Sequence, residues 1–316
     1  MKHVSFFFLL AVSSLSLSAC GNTHIKDDCW AYGTSWVFHL FDGNQENVDA
    51  LKEVALSTSR AHDLEAEGYA KGIAKINKDG EADVDPFLAD ELKLGVELSE
   101  KTNGYFSLFT GELKALWLNR LAKGNLPNDQ DIQKAVNDIK ETHLEIEGTH
   151  VKKIGPAKLD LGGLGKGYCL ELLKKEIEDA DLKQYVISGG SSSLLLGENP
   201  NREDKCTIVE LEDLSGTSFL AKNESLSTSS AMKQLYTVED KRYSHIVNPI
   251  TGEAEAVLDA VCLRGQNAAV LDALSTAIYC EGIDSIPRYE EEFDIKALAI
   301  KNGKVIFHSD GFVLEE

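Results

Sequence analysis

Between Leu159 and Tyr168 the chain reads Leu-Asp-Leu-Gly-Gly-Leu-Gly-Lys-Gly-Tyr, with Gly162, Gly163, Gly165 and Gly167 crowded between a strand-like stretch and a good helix former. Such a run is costly to order, so it belongs where the backbone must turn tightly or approach another group closely. Two uses fit it. Backbone N–H groups of the turn could meet an anion, with the dipole of the following helix and the Lys166 ammonium adding positive character. Alternatively, the glycines only permit close packing. The spacing is neither that of a P-loop nor Gly-x-Gly-x-x-Gly, so the run by itself leaves both uses open.

No Pro/Gly/Ser linker and no repeat of fixed period interrupts residues 30–316, which points to one interlocked domain. Helical apolar periodicity covers Glu46–Leu64, Pro86–Thr102, Asp129–Glu141, Gly167–Glu178 and Asn267–Tyr279. Strand-like runs are Tyr185–Ser188, Ser193–Leu196, Thr207–Leu211, Leu235–Val238, Tyr243–Val247 and Ala256–Leu263. A last hairpin joins Ile295–Ile300 to Val305–His308 through Asn302-Gly303. Helices and hairpins mix without regular βαβ alternation, so the expected class is α+β, a single domain of mixed antiparallel sheet and helices.

Acidic residues outnumber basic ones 52 to 32, a formal charge of -20, and no basic stripe relieves it; nucleic acid is excluded as an expected partner. The amino terminus has its own logic. Met1-Lys2-His3 precedes an apolar run from Val4 to Leu17, and Leu17-Ser18-Ala19-Cys20 closes it with small residues before a cysteine. The run is too short to span a bilayer. The expectation is a lipoprotein signal over residues 1–19, diacylglycerol attachment at Cys20, a tether over 20–30 and a folded domain over 31–316, held at a bacterial membrane and facing the periplasm or cell exterior. The other cysteines show no Cys-x-x-Cys spacing.

Three further segments invite chemistry. Ser188-Gly189-Gly190-Ser191-Ser192 follows a strand and is either a plain turn or a ligand contact. Tyr243 to Gly252 places His245 at a strand end before an Asn-Pro and Thr-Gly turn. Asn267 to Ala277 is a small-residue helix with Asp272 and Thr276 on one face, a hard carboxylate and hydroxyl that suit Mg²⁺. Its plainer reading is an Asp complementing the helix dipole and a Thr bonded back to a carbonyl.

In this order the segments resemble the ApbE family of flavin transferases, the FAD:protein FMN transferases. The resemblance is carried by Gly33-Thr34, by Gly104-Tyr105-Phe106-Ser107 with Leu116-Trp117, by Leu159 to Tyr168, by Gly189-Gly190, by Thr228-Ser229-Ser230, by Tyr243 to Gly252 and by Asp272 to Ala277. It runs from about residue 30 to the C-terminus. It implies an FAD cleft in which Tyr32, Tyr105, Phe106, Ser107, Asp160, Lys166 and Ile246 contact the nucleotide. Gly163, Asp272, Ser275 and Thr276 would supply the Mg²⁺ site, with His245 and Asp272 as the catalytic pair. The implied reaction transfers FMN from FAD to a Thr or Ser hydroxyl of an exported acceptor protein, an electron-transfer subunit, and releases AMP. His245 would take the hydroxyl proton or orient the nucleotide. Water in place of the hydroxyl would make the site an FAD pyrophosphatase, and a flavin-binding lipoprotein without turnover is the remaining alternative. The chain departs from the family pattern at Ser107 and Asn248, both Asp in the family, at Ser230, where the family has Gly, and at Gly165, where it has Ala.

Overall fold

The computed structural model describes residues 10–12, 24–65, 69–211, 217–310, 312 and 314–315. Cys20 and the signal segment lie outside them, apart from Leu10–Val12, a short strand paired with Thr207–Leu211.

Eight antiparallel strands form the central sheet: β1 (Ile25–Ala31), β2 (Thr34–Leu40), β3 (Tyr185–Gly189), β4 (Ser193–Leu196), β5 (Glu224–Ser230), β6 (Ala260–Gly265), β7 (Lys296–Lys301) and β8 (Lys304–His308). They neighbour one another in chain order from one edge to the other. Side-chain alternation explains why the middle strands are apolar throughout. Val186, Leu194 and Leu196 join a cluster with Val209 and Phe219 on one face, while Ile187 and Leu195 join Trp36, Phe38, Leu51 and Leu170 on the other. A strand covered on both faces needs apolar residues at every position.

The helices are α1 (Gln45–His62), α2 (Ile73–Asp79), α3 (Pro86–Lys101), α4 (Gly111–Leu121), α5 (Asp129–Glu141), α6 (Gly165–Asp179), α7 (Ala268–Glu281) and α8 (Ile286–Phe293). α5 starts where its sequence says because the Asn128 side chain accepts the Asp131 N–H at 2.9 Å, and Asn267 caps α7 in the same way at 3.0 Å. α1, α6 and α7 cover one face of the sheet. α4 and α5 pack Leu113, Trp117, Ile132 and Ile139 against Val247 and Ala254, so the loop after Tyr243 is clamped from below.

The α+β class stands, with three corrections. The stretch expected as a tether over 20–30 enters the sheet at Ile25, where β1 pairs along its length with β2, so the domain begins before residue 31. The strand expected over Tyr243–Val247 ends at Tyr243. Beyond it the Ser244 N–H donates to the Ala254 carbonyl at 3.0 Å and Asn248 N–H to that of Glu253 at 2.7 Å, so the loop around Pro249 bonds to itself and does not extend the two-stranded ribbon that Lys241–Tyr243 forms with Tyr236–Val238. The strand expected from Ala256 begins only at Ala260.

Candidate active site

The glycine run is pinned from two sides. Asn77 bonds both the N–H and the carbonyl of Leu159, at 2.8 and 3.0 Å, and the Asp160 N–H reaches the Leu108 carbonyl at 2.8 Å. Each glycine then has its own reason. A Cβ on Gly167 would lie 2.3 Å from the Ala268 carbonyl oxygen, so this residue lets α6 touch the start of α7. A Cβ on Gly165 would meet Tyr32 at 3.1 Å and His62 at 3.3 Å. Those two side chains fill the space that the family's Ala would claim. Gly163 faces the Thr276 hydroxyl, which its Cβ would approach to 3.0 Å.

α7 carries Asp272 into the contact so made. The Asp272 carboxylate is buried; its Oδ2 accepts the Gly167 N–H at 3.0 Å, its Oδ1 the Ser227 hydroxyl at 2.9 Å, and Lys166 Nζ stands 3.8 Å from Oδ2. Beside it, the Ser229 hydroxyl is 2.9 Å from that of Ser275 and 3.0 Å from that of Thr276. Ser227 and Ser229 are successive inward positions of β5. Hydroxyls at every second residue of a buried strand are the signal by which the sequence displays this wall, and only Ser229 had been placed in a motif. Among the described residues no three His, Cys, Asp or Glu side chains converge. One carboxylate with neighbouring hydroxyl and carbonyl oxygens fits a hard cation that keeps water and phosphate ligands, as Mg²⁺ does.

A second charged pair faces the first across the cleft. Asp160 Oδ1 accepts the Gly162 N–H at 2.7 Å and Oδ2 accepts from Lys114 Nζ at 3.0 Å. Burial alone would raise the Asp160 pKa, but Lys114, the Gly162 N–H and the nearby His245 together hold it below the usual carboxylate value. Lys114 is a site residue that sequence reasoning missed, because one lysine on an amphipathic helix reads as solvated surface.

The cleft, about 760 Å³ counting the space open to solvent, is walled by Tyr105, Phe106, Ser107, Asp160, Gly163, Lys166, His245, Ile246, Asp272 and Thr276. Ten of the expected positions therefore converge. Tyr32 does not join them; it lines an adjoining hollow of about 1270 Å³ with Trp30, Arg60 and His62, which shares Lys114, Asp160, Gly162 and Lys166 with the first. Ser275 is fully buried behind the wall, its hydroxyl donating to the Asp272 carbonyl at 3.0 Å. The departures from the family pattern have local partners. The Ser107 hydroxyl accepts the Phe109 N–H at 3.1 Å. Ser230 accepts from Met232 N–H at 3.1 Å and donates to the Asp259 carbonyl at 3.0 Å, capping a short turn.

The model of the ApbE family matches residues 32–299. The FAD:protein FMN transferase of Rhodobacter capsulatus is 28% identical over 222 residues, spanning 68% of this chain but only 42% of its own length. That of Buchnera aphidicola subsp. Baizongia pistaciae is 26% identical over 244 residues, covering 73% of this chain and 68% of its own. Among solved structures, the apo form of Pseudomonas stutzeri flavinyl transferase ApbE superposes with a TM-score of 0.78 at 16% identity, over 94% of this chain and 98% of that one. The ApbE protein of Thermotoga maritima gives 0.74 at 20% identity, over 93% and 97%.

Proposed function

Because the chain belongs to the ApbE family, we propose that it is a Mg²⁺-dependent FAD:protein FMN transferase, moving FMN from FAD to a Ser or Thr hydroxyl of an exported acceptor protein and releasing AMP. The observation that carries this reading is the convergence of Asp272, Thr276, Gly163 and Lys166 from two helices and a turn onto one cleft wall. Asp272, Thr276 and a backbone oxygen near Gly163 would hold Mg²⁺, which supplies charge neutralisation at the pyrophosphate when bound. Tyr105, Phe106 and Ile246 offer the flavin an apolar wall. Lys166, tethered by Asp272, presents its ammonium to phosphate oxygens. His245 on the opposite rim receives the proton of the acceptor hydroxyl as oxygen attacks the FMN phosphorus. We also propose, from the signal-like segment alone, that a lipid at Cys20 holds the enzyme at the membrane.

The test is to incubate the mature chain with FAD, Mg²⁺ and an exported electron-transfer protein while following acceptor mass and AMP together. Mg²⁺-dependent gain of one FMN with equimolar AMP is the expected result. AMP without labelling would replace transfer by hydrolysis, and FAD binding with neither product would leave a flavin-binding lipoprotein.

A further inference from the structure

We propose that Lys114 binds the phosphate that leaves with the adenosine half of the dinucleotide, an assignment that rests on the transfer reaction above. Lys114 and Lys166 both stand in the wall common to the two hollows. Lys166 lies on the Asp272 side, 3.8 Å from that carboxylate, whereas Lys114 lies on the Asp160 side at 3.0 Å. Asp160 spends its other oxygen on the Gly162 N–H, so it orients the lysine without enclosing it. A Cβ on Gly162 would sit 3.0 Å from Lys114 Nζ; the bare backbone keeps the ammonium in the opening. One N–H goes to Asp160, and a lysine has three.

A ligand with two ring systems joined by a pyrophosphate must thread this junction. Tyr105, Phe106 and Ile246 suit the flavin beside Asp272, which sends the adenosine into the wider hollow and its phosphate past Lys114. In the reaction the acceptor oxygen bonds to the FMN phosphorus and the bond from that phosphorus to the bridging oxygen breaks. The electron pair stays on the bridging oxygen of AMP, and the hydroxyl proton goes to His245. The departing phosphate therefore gains a negative charge during the step. An ammonium fixed beside it interacts more strongly with the transition state than with bound FAD.

The experiment compares full-chain wild type with Lys114→Gln and Lys114→Arg, measuring displacement of FAD by AMP and by FMN through flavin fluorescence, together with kcat and KM. Lys114→Gln is expected to weaken AMP ~10-fold, leave FMN within about twofold and lower kcat ~10- to 100-fold, with Lys114→Arg recovering most of each. Equal weakening of AMP and FMN, or no change in AMP affinity, would reduce Lys114 to a structural partner of Asp160 while leaving the transfer reaction intact. Should the Gln variant not fold, Lys114→Met takes its place in the same comparison: a loss confined to AMP supports the assignment, and a loss shared with FMN, or none, overturns it. If wild type labels no acceptor, the transfer reading fails on its own, and the AMP and FMN affinities still report on Lys114.

Discussion

Asp272 on α7 accepts the backbone N–H of Gly167 in the first turn of α6 at 3.0 Å, so one carboxylate both caps a neighbouring helix and faces the cleft. Its two duties can be separated. Asp272→Asn can keep acceptor oxygen for Gly167 or Ser227 but loses the charge that would hold a cation, so it should fold with a small loss of stability and show no Mg²⁺-dependent turnover. Asp272→Ala orphans a buried N–H and a buried hydroxyl and should cost about 2–4 kcal/mol in addition. Thermal unfolding with and without Mg²⁺ checks this: if Asp272→Asn remained stabilised by Mg²⁺ as wild type is, the cation would lie elsewhere.

Two glycines of the same run should fail differently when changed to alanine. At Gly167 the new methyl would fall 2.3 Å from a backbone oxygen and 2.7 Å from Asp272 Cβ, neither of which can swing aside. Prying α6 from α7 should cost about 1–3 kcal/mol or more and be visible in the urea midpoint. At Gly163 the methyl's one tight approach is to the Thr276 hydroxyl, at 3.0 Å, with Phe106 at an ordinary contact distance of 3.5 Å. Gly163→Ala should therefore fold near wild-type stability and lose turnover. A Gly163→Ala enzyme with full activity would remove that turn from the cation site.

Beneath the second hollow, His62 Nε2 and Glu91 Oε2 are 2.6 Å apart and both side chains are buried. Burial pushes the His62 pKa down, but the Glu91 charge, its hydrogen bond and the Thr58 carbonyl outweigh it and leave the value raised. The sign follows from linkage. Stability from protonated His62 is present in full below its unfolded value of about 6.5 and is lost as pH rises through the raised folded value. Wild-type Tm should consequently fall more between pH 6 and pH 9 than that of a His62→Leu/Glu91→Leu variant. Single His62→Leu strands a buried carboxylate and should cost about 3–5 kcal/mol, which the double variant largely recovers. A single variant as stable as the double would show the pair to be uncoupled.

Where the sequence carried local punctuation, the structure could be read from it. The helical periodicities over Asp129–Glu141 and Asn267–Tyr279 located α5 and α7, and the short apolar runs Tyr185–Ser188 and Ser193–Leu196 located β3 and β4. The β1–β2 hairpin was illegible because its turn is Tyr32-Gly33, with Tyr32 at φ 54, and tyrosine is not a turn residue by type. α4 begins at Gly111, a weak start whose helix is held by packing Leu113 and Trp117 under the His245 loop. The cleft residues that the motifs contain converge, whereas Lys114 depends on its tertiary neighbours for any meaning and Ser227 shows only in the alternation of hydroxyls along β5. Trp117 shows the link the motifs could not display: its indole N–H donates to the Gly252 carbonyl at 2.7 Å, tying the Leu-Trp block to the turn that follows His245.

Asn248 takes the place of an Asp in the family pattern, and its bonds show why the amide suits this chain. Its Oδ1 accepts the Ile250 N–H at 2.9 Å and the Thr251 N–H at 3.2 Å, which an aspartate could also do. Its Nδ2, however, donates to the Cys280 carbonyl at 2.9 Å, near the C-terminal end of α7. A carboxylate there would set two acceptors against each other at the negative end of a helix dipole. Asn248→Asp, although it restores the family residue, should lose about 1–3 kcal/mol at pH 7 and disturb the loop that carries His245 and Ile246. A carboxylate disfavoured by the fold has a raised folded pKa. The deficit should thus be complete above that raised value, shrink as pH falls toward the unfolded value of about 3.9, and be largely gone below it. Urea unfolding of both proteins at pH 7 and pH 4 measures it, and an Asn248→Asp protein matching wild type at pH 7 would mean that the Cys280 carbonyl finds another donor.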